Sequence, residues 1–91
     1  MRLKDRISIV TGAAQGIGAA IAREFAREGA VVGALDRKDV VEKVCGGIRR
    51  TGGQASAYVL DITNQEAYGS CVDRVASQSG RIDTLVNNAA V

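Results

Sequence analysis

An α/β fold, a doubly wound parallel sheet built β-α-β-α-β-α-β with strand order 3-2-1-4, is what this sequence predicts. Two observations carry the prediction. Short apolar runs alternate with helical patterns along the whole chain. A glycine-rich turn, Thr11-Gly12-Ala13-Ala14-Gln15-Gly16-Ile17-Gly18, joins the first run to the first helix. Continuous apolar strands linked by helices require parallel pairing with both faces covered. Right-handed crossovers then place a ligand crevice at the carboxyl ends of strands one and four, where the strand order reverses.

Residues 7–10, Ile-Ser-Ile-Val, read as a buried strand. Ile17, Ile21 and Phe25 recur every four residues, so 17–28 reads as an amphipathic helix closed by Gly29. Residues 30–35 form a second apolar strand that ends at Asp36. Val40, Val41, Val44, Cys45 and Ile48 repeat at helical spacing until Gly52-Gly53, although Gly46-Gly47 weakens that helix. Residues 57–60 make a third strand. Thr63 with Glu66 forms a capping box, opening a helix that turns Ala67, Cys71, Val72 and Val75 inward and stops at Gly80. Residues 82–86 are the fourth strand. No internal repeat or low-complexity run interrupts the pattern.

Composition sets outer bounds. The chain has 91 residues, 46% apolar and 24% charged, with a formal net charge of +2. That is ordinary for a globular chain, and smaller than the common domain size of roughly 100–150 residues. Basic residues are scattered, which gives no footprint for nucleic acid. No apolar stretch approaches the ~20 residues of a membrane span. The apolar run after the charged N-terminus is too short for the ~7–15-residue core of a signal peptide, so a cytoplasmic location is expected. Cys45 and Cys71 lack C-x-x-C spacing and read as buried free thiols. The sequence contains no His, so imidazole catalysis and imidazole metal ligation are excluded within it, and no metal site is expected.

Four features fall at carboxyl ends of strands. Gly12 permits the sharp turn, Gly16 leaves no Cβ between backbone and a pyrophosphate, and Gly18 lets the helix pack against the sheet. The helix N-terminus adds free N–H groups and partial positive charge. Asp36, after strand two, suits the hydroxyls of an adenosine ribose and would repel a 2′-phosphate; an acid at a turn or helix start is the plainer alternative. Asp61-Ile62 either meets adenine, through the Asp61 carboxylate and Ile62 amide, or caps the turn into the next helix. Asn87-Asn88-Ala89-Ala90 either ties neighbouring strand ends together or contacts a ligand.

Together these motifs resemble the N-terminal half of the short-chain dehydrogenase/reductase family. Residues 11–18 match its T-G-x-x-x-G-[IL]-G signature and Asp61-Ile62 its D-[VI] pair. Residues 87–90 match N-N-A-G, with Ala90 in place of the final glycine. The resemblance runs from Leu3 to Val91 and implies a Rossmann-like fold. It also implies that Gly12, Gln15, Gly16 and Ile17 line pyrophosphate and ribose, and that Asp36 selects NAD over NADP. Arg37 is the complication, since its guanidinium could pair with a 2′-phosphate. By the same resemblance Asp61 and Ile62 hold adenine, Asn88 and Ala89 flank a ribose, and Thr11 and Asn87 tie strands one and four.

The resemblance implies hydride transfer between a nicotinamide cofactor and a small alcohol or ketone. The family's catalytic Ser and Tyr-x-x-x-Lys pair are not among these residues. Four positions after Tyr58 and Tyr68 stand Ile62 and Val72, so both tyrosines read as packing residues. Residues 1–91 are therefore expected to be the first part of one dinucleotide-binding domain. An apolar edge on strand four would be covered by further polypeptide or a partner, and homo-oligomers would form through later helices. On this expectation the segment alone aggregates or folds loosely. The alternatives are a non-catalytic nucleotide-binding or regulatory module, and an epimerase or dehydratase on the same half-fold. A P-loop is disfavoured because no Lys-Ser or Lys-Thr follows the glycines. A methyltransferase is disfavoured by the Asn87-Asn88-Ala89 ending.

Overall fold

A computed structural model describes residues 3–88. The elements run β1 (Ile7–Thr11), α1 (Gly16–Arg27), β2 (Val31–Asp36), α2 (Val41–Arg50), β3 (Gln54–Val59), α3 (Gln65–Ser79) and β4 (Thr84–Val86). They form a four-stranded sheet of order β3-β2-β1-β4, with parallel pairing throughout. The predicted architecture and strand order are those observed.

The sheet is covered on both faces. On one side α1 and α2 enclose Val10, Val32, Ala34, Val41, Val44, Cys45 and Ile48. On the other, α3 brings Cys71 and Val75 against Ile7, Ile9 and Leu35. Burying an aliphatic side chain such as Ile9 or Leu35 contributes roughly 1.5–3 kcal/mol. Every residue of β1 is buried, as the unbroken apolar run requires. Tyr58 and Tyr68 pack against the α3-side core, in agreement with the packing role read from their spacing. Burial raises the thiol pKa of both free cysteines and the phenol pKa of Tyr58.

Three local readings need correction. The inward face of α1 is Gly18, Ala19, Ala22 and Ala26, not the Ile17-Ile21-Phe25 stripe. Ile21 and Phe25 pack on the flank, and Ile17 is 72% exposed. Small residues face the sheet, and at Gly18 an added Cβ would collide with the Gly12 carbonyl of the turn. β3 starts at Gln54, three residues before the apolar run, because Gln54, Ala55 and Ser56 pair with Val31, Val32 and Gly33 of β2. The cap of α3 is Asn64, whose Oδ1 accepts from Ala67 N at 3.1 Å, and not Thr63.

The glycine stops behave as expected. α1 is followed by Gly29 and α2 by Gly52, both at positive φ, and Gly80 caps α3 in the left-handed conformation. α2 runs unbroken through Gly46 and Gly47. At the edges of the sheet, Leu85 of β4 and Val59 of β3 are 53% and 46% exposed. No helix among the described residues is long and apolar enough to cross a membrane.

Candidate cofactor site

β1 leads to β2 and β3 on one side, whereas β4 pairs on the other. The loops after β1 and β4 therefore diverge and leave a crevice between them. A cleft of about 690 Å³ opens there. It is lined by Gly12, Gln15, Gly16, Ile17, Asp36, Arg37, Asp61, Ile62 and Asn88, every described residue singled out from the sequence for cofactor binding. Ala89, the remaining one, lies outside the described residues, as does Ala90. Leu60 and Thr63 also line the cleft and escaped sequence reasoning. Their signal was adjacency to Asp61-Ile62 on the strand-to-helix turn.

The glycine turn is shaped by close approach. Gly12 and Gly16 adopt φ of 65° and 60°, the left-handed region where side chains are strained. A Cβ on Gly18 would sit 1.9 Å from the Gly12 carbonyl oxygen, so α1 can abut the loop only with glycine there. A Cβ on Gly16 would meet no atom within 4 Å and would project into open space. Gln15, the residue before α1, gives the helix no side-chain cap, and the first turn holds no acid. Uncapped N–H groups and the positive end of the helix dipole are thus left for an anion.

The carboxyl ends of strands one and four are tied together. Thr11 Oγ1 donates toward Val86 O at 3.3 Å or Asn87 Oδ1 at 3.2 Å, and accepts from Asn88 N at 3.0 Å. Asn88 Nδ2 reaches Gly12 O at 3.5 Å. The ties read for Thr11 and Asn87 are therefore present in the geometry.

Both acids have internal partners. Asp36 Oδ2 accepts from Ala14 N at 3.0 Å and Oδ1 from Lys38 N at 2.9 Å. Asp61 Oδ1 accepts from Thr63 N at 2.9 Å and Thr63 Oγ1 at 2.7 Å, so Asp61 does shape the turn before α3. These Thr63 bonds, with a smaller contribution from Arg37, hold the Asp61 carboxyl below the usual range. Each carboxylate oxygen has more than one acceptor site, so neither set of bonds excludes a ligand hydroxyl.

Comparison with known proteins shows the family and the fold. The family model described as short chain dehydrogenase matches residues 6–91. Meso-2,3-butanediol dehydrogenase of Serratia marcescens is 39% identical over 92 residues, covering 100% of this chain and 36% of that protein. The structure of hydroxysteroid dehydrogenase from Escherichia coli superposes with a TM-score of 0.93 at 41% identity, covering 99% of this chain and 39% of that one. A metagenomic short-chain oxidoreductase in complex with NADP gives 0.94 at 37% identity, covering 100% and 42%. The chain spans about a third of the length of the curated relatives it matches.

Proposed function

The chain belongs to the short-chain dehydrogenase family, and from that premise we propose that it forms the nicotinamide-dinucleotide site of an oxidoreductase acting on a small alcohol or ketone. One observation carries the reading: the glycine turn, Asp36, Asp61-Ile62 and Asn88 come from four separate strand ends and line one cleft. Such a cleft at a topological switch point is where open α/β sheets bind nucleotides. The uncapped α1 N-terminus and the open space over Gly16 suit a pyrophosphate.

In this reading Gly12, Gln15, Gly16 and Ile17 hold pyrophosphate and ribose, Asp36 the adenosine ribose, Asp61 and Ile62 the adenine. Asn88, with Ala89, flanks a ribose. The dinucleotide, when bound, supplies the hydride acceptor or donor. This chain's residues bind and orient it, and none of them is assigned the family's Ser or Tyr-x-x-x-Lys role. Residues 1–91 would then be the N-terminal part of one dinucleotide-binding domain, spanning about a third of the length of the curated relatives, with a cytoplasmic homo-oligomer as the proposed setting.

NAD is the proposed cofactor, because the Asp36 carboxylate would face a 2′-phosphate with like charge. The relative solved with NADP makes this the point to measure. Calorimetric titration with NAD and NADP is expected to favour NAD. A tenfold preference for NADP would reverse the assignment of Asp36, and binding of neither would refute the site.

A further inference from the structure

The Asp36 carboxylate reaches backward as well as into the cleft. Ala13 and Ala14, in the middle of the glycine turn, are 0% and 5% exposed. Their amides are satisfied by the end of β2: Ala13 N donates to Leu35 O at 3.1 Å, and Ala14 N to Asp36 Oδ2 at 3.0 Å. The first bond is backbone to backbone and survives any side-chain change. The second exists only because residue 36 carries an acceptor. Around these amides stand Gly12 and Gly16, both at positive φ and both conformationally permissive. Between the two glycines the turn is held by one backbone anchor, at Ala13, and one side-chain anchor, at Ala14, while Asn88 Nδ2 reaches Gly12 O at 3.5 Å. The other Asp36 oxygen accepts from Lys38 N, which fixes the carboxylate's orientation toward the turn.

We propose that Asp36 is a positioning residue for the glycine turn, holding the pyrophosphate-binding backbone in shape through Ala14 in addition to any contact with ribose. The proposal deepens the dinucleotide reading and rests on it for its functional consequence. Charge and anchoring predict opposite signs. Removing a carboxylate near a bound pyrophosphate strengthens anion binding by electrostatics alone. Removing the anchor leaves the buried Ala14 N–H without its acceptor and lets the turn between the two glycines relax, which weakens it.

The test uses 2′,3′-dideoxy-ADP, which keeps the pyrophosphate and adenine but has no ribose hydroxyls for Asp36 to read. Asp36→Ala is expected to bind this probe about tenfold more weakly than the unmodified protein. Asp36→Asn loses the same charge but keeps one carbonyl acceptor, for which the Ala14 and Lys38 amides compete, and should recover part of the affinity. Unchanged or tighter binding by Asp36→Ala, or equal affinities of the Ala and Asn variants, would overturn the proposal. Hydrogen exchange at the Ala14 and Gly16 amides in ligand-free protein gives a second readout. It is expected to accelerate in Asp36→Ala and to a smaller degree in Asp36→Asn, and identical protection in all three proteins counts against the anchor. If the unmodified protein binds neither NAD nor the probe, the dinucleotide reading fails, and the exchange measurement still decides whether Asp36 holds the turn.

Discussion

Both backbone groups of Ile7 end on Asp83: the Ile7 amide donates to Asp83 Oδ2 at 2.8 Å, and the Ile7 carbonyl accepts from Asp83 N at 2.8 Å. A side chain thereby extends the β1–β4 ladder one position beyond the Ser8–Thr84 pair. β4 is only three residues long, so this closure matters for its register. Arg81 reinforces it, donating from Nε to Asp83 Oδ2 at 2.9 Å and from Nη2 to Asp5 O at 3.1 Å. Because β4 leads to Asn87, bonded to Thr11, and to Asn88, which lines the cleft, an interaction at its far end helps set the site.

Stability should respond to acid through this residue. The Ile7 amide first, then the Arg81 guanidinium, hold the Asp83 carboxyl below the usual range. A depressed folded-state pKa gives stabilisation that is present above the unfolded value of about 3.9 and disappears as pH falls through the folded value. Urea midpoints should therefore drop on acidification below about pH 4. Asp61, also depressed, adds to the same trend. Asp83→Asn should be less stable at neutral pH and lose less on acidification, and parallel pH profiles for the two proteins would exclude this role.

Gly16 and Gly18 should separate binding from folding. Gly18→Ala drives a Cβ into the Gly12 carbonyl and should destabilise by about 2–3 kcal/mol, the scale of core overpacking, read as a lowered denaturation midpoint. The Cβ of Gly16→Val meets no atom within 4 Å, so its main stability cost is the backbone strain of a side chain at positive φ, about 1–2 kcal/mol. The new side chain fills pyrophosphate space, and NAD affinity measured by calorimetry should collapse. Unchanged affinity in that variant would mean the glycines serve packing.

At the start of α3 the two neighbouring polar residues should behave differently. Asn64→Ala removes the cap on Ala67 N and should cost about 1 kcal/mol in urea denaturation. Thr63→Ala leaves that cap intact and removes the hydroxyl bond to Asp61, so its stability loss should be smaller. The reverse ranking would restore Thr63 as the cap.

Cys45 and Cys71 should resist alkylation in the folded protein at neutral pH. Both are buried, and burial pushes both thiols up, leaving little thiolate. Labelling should become rapid only in denaturant, as mass spectrometry would show. Fast native labelling would place one of them at an accessible surface.

Element order, parallel pairing and the glycine turn were legible in the residues themselves, because strand runs, helix stops and a left-handed turn are local properties of a few neighbouring positions. The strand order followed from them through the handedness of crossovers. Tertiary structure decided the rest. α1 turns Gly18, Ala19, Ala22 and Ala26 inward and leaves Ile17 exposed at the cleft, a choice of face that four-residue spacing alone does not make. Gln54 and Ser56 are strand residues only because β2 offers them a ladder. Asn64 rather than Thr63 is the cap because α3 begins at Gln65, which puts Asn64 at the capping position with its Oδ1 on Ala67 N. Asp36 could be placed beside a ribose from spacing, but its bond to Ala14 joins positions 22 residues apart. Periodicity carries no information about such a pairing; it exists only once β1 and β2 lie side by side.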